Sequence, residues 1–204
     1  IAVGVIAGFG GGLLGIVSGY SGGKVDLILQ RGVDALVALP LLVLALAVLV
    51  AVPASRTGVV VALSIGFTPL ILRTTRASAL ALKESGFVES ANAVGASDVG
   101  IIWRHILPNA AGPWIIVAGA GVGTAVLAES ALSFLGLGAP INSPTLGSML
   151  GGDAQNYIHR APWLVLWPGV VISVLVLSVN LVADSYAESS ATMRSRTASP
   201  GHGK

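Results

Sequence analysis

From Ile1 to Tyr20 the chain carries no charged residue, and the same is true from Ala35 to Val52, Thr57 to Leu72, Ala110 to Ala128 and Pro162 to Ala183. A bilayer hydrocarbon core takes about 20 apolar residues in helical form. In that medium every backbone N–H and C=O must find its partner within the protein, which a helix achieves locally. The recurrence of such runs predicts an all-α, polytopic transmembrane helical bundle with five spans. Composition agrees: 10% of residues are charged, against roughly 25% in a soluble domain. A net charge of +2 gives no footing for a nucleic-acid surface, and the absence of cysteine excludes disulfides and thiolate metal sites.

The first span is rich in glycine, in two rows. Gly4, Gly8 and Gly12 recur every four residues, and so do Gly11, Gly15 and Gly19. Small-residue ridges let helix backbones approach closely, so this span is expected to be tightly packed. Phosphate binding has no support, because no strand precedes these glycines and no G-K-[ST] follows them. Ser21 to Asp34 is polar, with Gly22-Gly23 as a turn and Lys24, Asp26, Arg31 and Asp34 as charges. It contains two serine settings, G-x-S-G at Gly19–Gly22 and S-x-x-K at Ser21–Lys24. A serine nucleophile would need a base within the membrane, and His105, His159 and His202 all lie outside the apolar runs. They also lack metal-ligand spacing, so no metal site is expected. Pro40 and Pro69 fall within spans, where neighbouring helices can satisfy the freed carbonyls.

The longest polar interruption runs from Glu89 to Pro108. Leu80, Glu84, Phe87, Ala91 and Val94 recur at spacings of three and four, which predicts a helix with a mostly apolar stripe. Gly95 suits the left-handed position that ends a helix. Ser97 is a good N-cap for a second helix, with Asp98 favoured by its dipole, and Pro108 is expected to end that second piece. Glu129 stands toward the far end of the fourth span. An intramembrane carboxylate is a functional candidate by default, although capping or packing also accounts for it. Asn180 in the fifth span reads as a packing residue able to bridge helices. Pro140 to Arg160 reads as a loop with a short helix around Leu150 to Tyr157, and the chain beyond Asp184 as a disordered tail.

The Glu89–Pro108 stretch resembles the EAA loop of permease subunits in bacterial ABC importers. Glu89, Ala91, Gly95, Leu107 and Pro108 match that pattern at its spacing, with Ser90 and His105 departing from it. R-H-I-L-P-N at Arg104–Asn109, G-Y-S-G-G-K-V-D at Gly19–Asp26 and A-E-S-A-L-S-F-L-G-L-G at Ala128–Gly138 resemble the dipeptide, oligopeptide and nickel branch. The resemblance implies a transmembrane permease domain over residues 1–183, a cytoplasmic coupling loop over 77–108 within it, and a cytoplasmic polar tail over 184–204. It implies six spans in the full protein, so the chain is expected to lack its natural N-terminus. The implied partners are a second homologous permease, two cytoplasmic ATPase subunits and an extracytoplasmic solute-binding protein. The implied role is translocation of dipeptides or oligopeptides, or of nickel or another small solute. There is no Walker A sequence, so ATP and Mg are expected in the partner subunits, with no cofactor and no enzymatic activity in this chain. Coupling would involve Leu80, Phe87, Glu89, Ala91, Val94, Gly95, Leu107 and Pro108. A secondary transporter is the alternative of another class, but it would usually show paired broken helices and buried charges near mid-membrane.

Placement of Lys and Arg predicts orientation in a bacterial inner membrane. With five alternating spans, Lys24, Arg31, Arg73, Arg76, Lys83, Arg104, Arg194, Arg196 and Lys204 fall on one side, and only Arg56 and Arg160 on the other. The side holding the Glu89 stretch and the C-terminus is therefore expected to be cytoplasmic.

Overall fold

The computed structural model describes residues 1–52, 55–138, 144–151 and 159–198, with side chains to residue 188. Its helices are α1 (Ala2–Ser21), α2 (Gly23–Val37), α3 (Leu41–Ala51), α4 (Arg56–Lys83), α5 (Gly86–Ala93), α6 (Asp98–Ile101), α7 (Leu107–Phe134) and α8 (Trp163–Ala198). A π-helical turn, Ile102–Ile106, joins α6 to α7, and a 3₁₀ turn lies at Ser148–Leu150. Among the described residues, four stretches are long and apolar enough to cross a membrane, and the bent pair α2–α3 makes a fifth crossing if counted as one. The expected polytopic helical bundle is therefore the fold.

Each glycine row on α1 faces a different helix. A Cβ on Gly11 would stand 2.9 Å from the Thr68 carbonyl, and one on Gly19 would stand 2.6 Å from that of Arg76. Gly15 lies against Leu72 and Thr75 between them. Residue numbers rise together along the contact, so α1 and α4 run parallel. The other row meets α7 in the opposite sense, Gly4 against Val122 and Gly12 against Trp114. Trp114 donates its indole N–H to the Gly8 carbonyl at 2.8 Å, so a polar group buried in the packing is satisfied. α8 lies antiparallel to α7, with Gly119 beside Ala183 and Gly123 beneath the Asn180 side chain. The packing role expected of Asn180 is what the contact shows. The ends of α1, α4 and α8 and the start of α6 thus share one face of the bundle. Val3, Ala7, Leu63, Phe67, Ala125 and Leu132 are among the buried residues of the main core.

Several sequence expectations meet the structure here. The chain beyond Asp184 is not a disordered tail from its start, because α8 continues to Ala198. The turn expected at Gly22-Gly23 is present, with φ of 62° and 54°, but the polar stretch after it is a helix that runs to Val37. The second span breaks at Pro40, where α2 and α3 meet at 96°. Proline lacks the N–H a continuing helix needs and pushes the residue before it out of helical geometry. The third span does not end at Leu72; α4 continues to Lys83 through the charged residues that were expected to mark its end. Partners on α2 explain this. Arg76 makes a bidentate pair with Asp26, both contacts at 2.6 Å, and Arg73 pairs with Asp34 at 2.7 Å. Ser148–Leu150 touches the start of the short helix expected near Leu150–Tyr157, but residues 152–158, most of that helix, lie outside the described ones.

Candidate functional site

The expected stripe from Leu80 to Val94 is divided between two helices. α4 ends at Lys83, Ser85 adopts an extended conformation (φ −80°, ψ 145°), and α5 restarts at Gly86. Ser85 bonds locally to the Leu82 carbonyl, the kind of side-chain competition that interrupts helices. Leu80 and Glu84 therefore do not share a helix with Phe87, Ala91 and Val94. Leu80 is half-buried on α4, while Ala91 and Leu107 pack on a second core formed by Ile16, Tyr20, Ala79, Val88, Ile101, Ile106 and Ala110. Val88 is completely buried and is the residue that anchors α5. Sequence reasoning passed over it. Val88 and Ala91 stand three apart, a signal that emerges only once the break at Ser85–Gly86 is known.

α5 closes as expected. Gly95 has φ 80°, the Ala96 N–H bonds to the Ala91 carbonyl at 3.1 Å, and the Gly95 N–H to that of Asn92 at 3.0 Å. This is the Schellman pattern, which favours glycine at the left-handed position. A Cβ at Gly95 would meet nothing within 4 Å. Ser97 then caps α6, its hydroxyl accepting from the Gly100 N–H at 3.2 Å. Glu89 is exposed in the first turn of α5, where the helix dipole favours a carboxylate.

Pro108 does not end the second piece, contrary to expectation. Asp98 to Phe134 is continuous. The π turn makes this possible: the Leu107 N–H reaches back five residues to the Ile102 carbonyl, widening the helix where the proline ring would otherwise meet the preceding turn. Asn109 donates its side-chain amide to the His105 carbonyl at 2.7 Å, satisfying an acceptor in the same turn. His105 also packs beside Phe87, ring centroids 6.0 Å apart, which ties α5 to the π turn.

What remains outside is an apolar edge. Phe87, Val94, Val99 and Trp103 are 43%, 84%, 65% and 59% exposed. They stand on both sides of the Gly95 reversal, at the bundle face where α1 and α4 end. Glu129 lies far from this segment, near the other end of α7. It is half-buried, accepts a hydrogen bond from Ser133 at 2.7 Å, and borders two cavities of about 200 and 230 Å³.

The chain of the MetNI methionine ABC transporter, solved in inward facing conformations, superimposes with a TM-score of 0.72 over 92% of this chain and 91% of that one, at 20% identity, a likeness of fold. The protein belongs to the family of binding-protein-dependent transport system inner membrane components, which matches residues 11–190. Among curated relatives, a putative peptide transport system permease protein of Brucella suis biovar 1 is 36% identical over 90% of this chain and 62% of its own length. A dipeptide transport system permease protein of Alkalihalophilus pseudofirmus is 37% identical over 85% and 57%. A glutathione transport system permease protein of Escherichia coli is 38% identical over 90% and 62%. The chain thus spans about three fifths of the length of the curated relatives it matches.

Proposed function

We propose that this chain is the pathway-forming part of a permease subunit in an ATP-driven ABC importer of dipeptides or oligopeptides. Its partners are a second homologous permease, two cytoplasmic ATPase subunits and an extracytoplasmic solute-binding protein. The family supports a membrane transport role, and the relatives' names favour peptides over nickel as the solute class. The observation that carries the coupling role is the apolar edge Phe87, Val94, Val99 and Trp103 around Gly95. Exposed apolar anchors on short helices suit insertion into a groove of a partner. ATP and Mg are held by the ATPase subunits in this reading, and this chain performs no chemistry. The face that carries Gly95 is cytoplasmic, as the basic bias predicts.

Gly95→Arg tests the docking role. The open space around Gly95 means that the side chain fits without disturbing the bundle, and the left-handed geometry adds only about 1–2 kcal/mol of strain. The variant inserts in the membrane, but ATPase subunits co-purify poorly or hydrolyse ATP without driving uptake of peptide into vesicles. Gly95→Asn, which tolerates the same backbone geometry, loses less. Wild-type co-purification and uptake in Gly95→Arg would overturn the docking role. ATP-independent uptake by the unsubstituted complex would favour a secondary transporter.

A further inference from the structure

The stretch Gly19–Asp26 lies outside the Gly95 segment but bonds to its surroundings. Tyr20, at the end of α1, reaches both α4 and the second arm of the segment divided by Gly95. On α4, Lys83 donates to the Tyr20 backbone carbonyl at 2.7 Å, and its ammonium lies 5.5 Å from the centre of the Tyr20 ring. On the second arm, the Tyr20 hydroxyl donates to Asp98 Oδ1 at 2.9 Å. The ring itself is buried in the core that Val88 enters from α5 and Ile101 from α6. Asp26 completes the arrangement. It holds Arg76 of α4 in a bidentate pair and accepts from Ser18 of α1 at 2.6 Å. The two conspicuous residues of this motif thus join α1, α2, α4 and the second arm, α6.

We propose that Tyr20 is a positioning residue whose hydroxyl, through Asp98, holds the second arm of the Gly95 segment in fixed register with the α1–α4 pair. A Schellman turn at a single glycine is a natural hinge. With one arm pinned, a push on the apolar edge would bend the segment at Gly95 and be lost there. With Val88 of α5 seated in the core and Asp98 of α6 held by the Tyr20 hydroxyl, the segment displaces as one body with α1 and α4. The functional consequence rests on the coupling reading above, but the mechanical claim does not.

The test uses the assembled complex and needs no transported solute. This chain has no cysteine, so spin labels attach at Ala96→Cys and Val5→Cys once accessible cysteines of the partner subunits are replaced. The unsubstituted chain gives one narrow distance distribution. Tyr20→Phe keeps the buried ring and removes only the hydroxyl, so displaced conformers rise about fivefold, the factor an ordinary hydrogen bond holds in a two-state equilibrium. Asp98→Ala gives the same broadening, the double variant adds nothing further, and Asp98→Asn, which keeps an acceptor oxygen, restores most of the narrow population. An unchanged distribution in Tyr20→Phe, or additive broadening in the double variant, overturns the proposal. If Tyr20→Phe does not assemble, Asp98→Ala decides alone, because Asp98 is exposed and its removal leaves the core intact. ATP added to the unsubstituted complex judges the coupling reading separately: a distribution that ATP does not shift overturns that reading, while the variant comparison still decides the role of Tyr20.

Discussion

Replacing Gly15 by alanine adds one methyl group at the closest approach of α1 and α4. That Cβ would stand 2.5 Å from the Leu72 carbonyl and closer still to the Thr75 hydroxyl, whereas ordinary contact begins at 3.4 Å. Backbone cannot rotate aside, so the helices must part by about 1 Å. A gap of that size forfeits a quarter to a half of the dispersion attraction of each contact it opens. Overpacking of this kind costs about 1–3 kcal/mol, and a loss spread along a whole helix pair belongs near the upper end, about 2–3 kcal/mol. Gly10→Ala is the matched control. It lies on the same helix, nothing stands within 4 Å of its Cβ, and alanine is the better helix former by up to about 1 kcal/mol. The two variants should therefore differ in sign. The assay is reversible unfolding in mixed detergent and dodecyl sulfate micelles, followed by loss of helix signal. If Gly15→Ala and Gly10→Ala agree to within about 0.5 kcal/mol, the ordinary scatter of harmless substitutions, the close parallel packing of α1 and α4 is refuted.

Further expectations follow from the polar contacts. Asp26→Ala leaves Arg76 partly buried without its carboxylate and should destabilise by about 2 kcal/mol or more, seen as earlier proteolysis within α2. Asp34→Ala removes a pair whose side chains are 47% and 56% exposed, and should change stability by less than about 1 kcal/mol in the same assay. Glu129→Gln keeps an acceptor for Ser133, so uptake per assembled complex should stay within a few-fold of wild type; complete loss of uptake with normal assembly would place Glu129 in the transport mechanism. A cysteine at His159, exposed on the opposite face from Gly95, should react with an impermeant thiol reagent outside intact cells, and one at Ala96 should not; labelling at Ala96 would reverse the orientation.

The glycine rows were legible because their period matches the helix that carries them, and each row found a helix to meet. The Gly95 turn was legible because its signal is local, a left-handed residue followed by a capping serine. The length of α4 was not. Arg73 and Arg76 look like the end of a span until Asp34 and Asp26 are known to stand beside them, and a pairing across 39 or 50 residues leaves no periodicity to read. Pro108 misled for a similar reason. A proline ends a helix unless the turn before it widens, and the π turn over Ile102–Ile106 has no composition of its own. Tyr20 stands out in the sequence only as part of a motif, since nothing in its neighbourhood points to Asp98.

The elbow between α2 and α3 has a bearing on lipid. Eleven residues of α3 rise only about 16 Å, roughly half a hydrocarbon core, and Leu41 at its start lies against Gly66, well inside α4. The chain therefore breaks at depth, where the last carbonyls of one helix and the first N–H groups of the next have no helical partners. Acyl chains offer nothing to those groups, and irregular backbone survives at such a level only beside protein or water. The bilayer annulus around this bundle must then be discontinuous, with the sector at Ala38–Pro40 closed to lipid tails. The perimeter of the molecule has a wet or covered side, and the elbow marks which one it is.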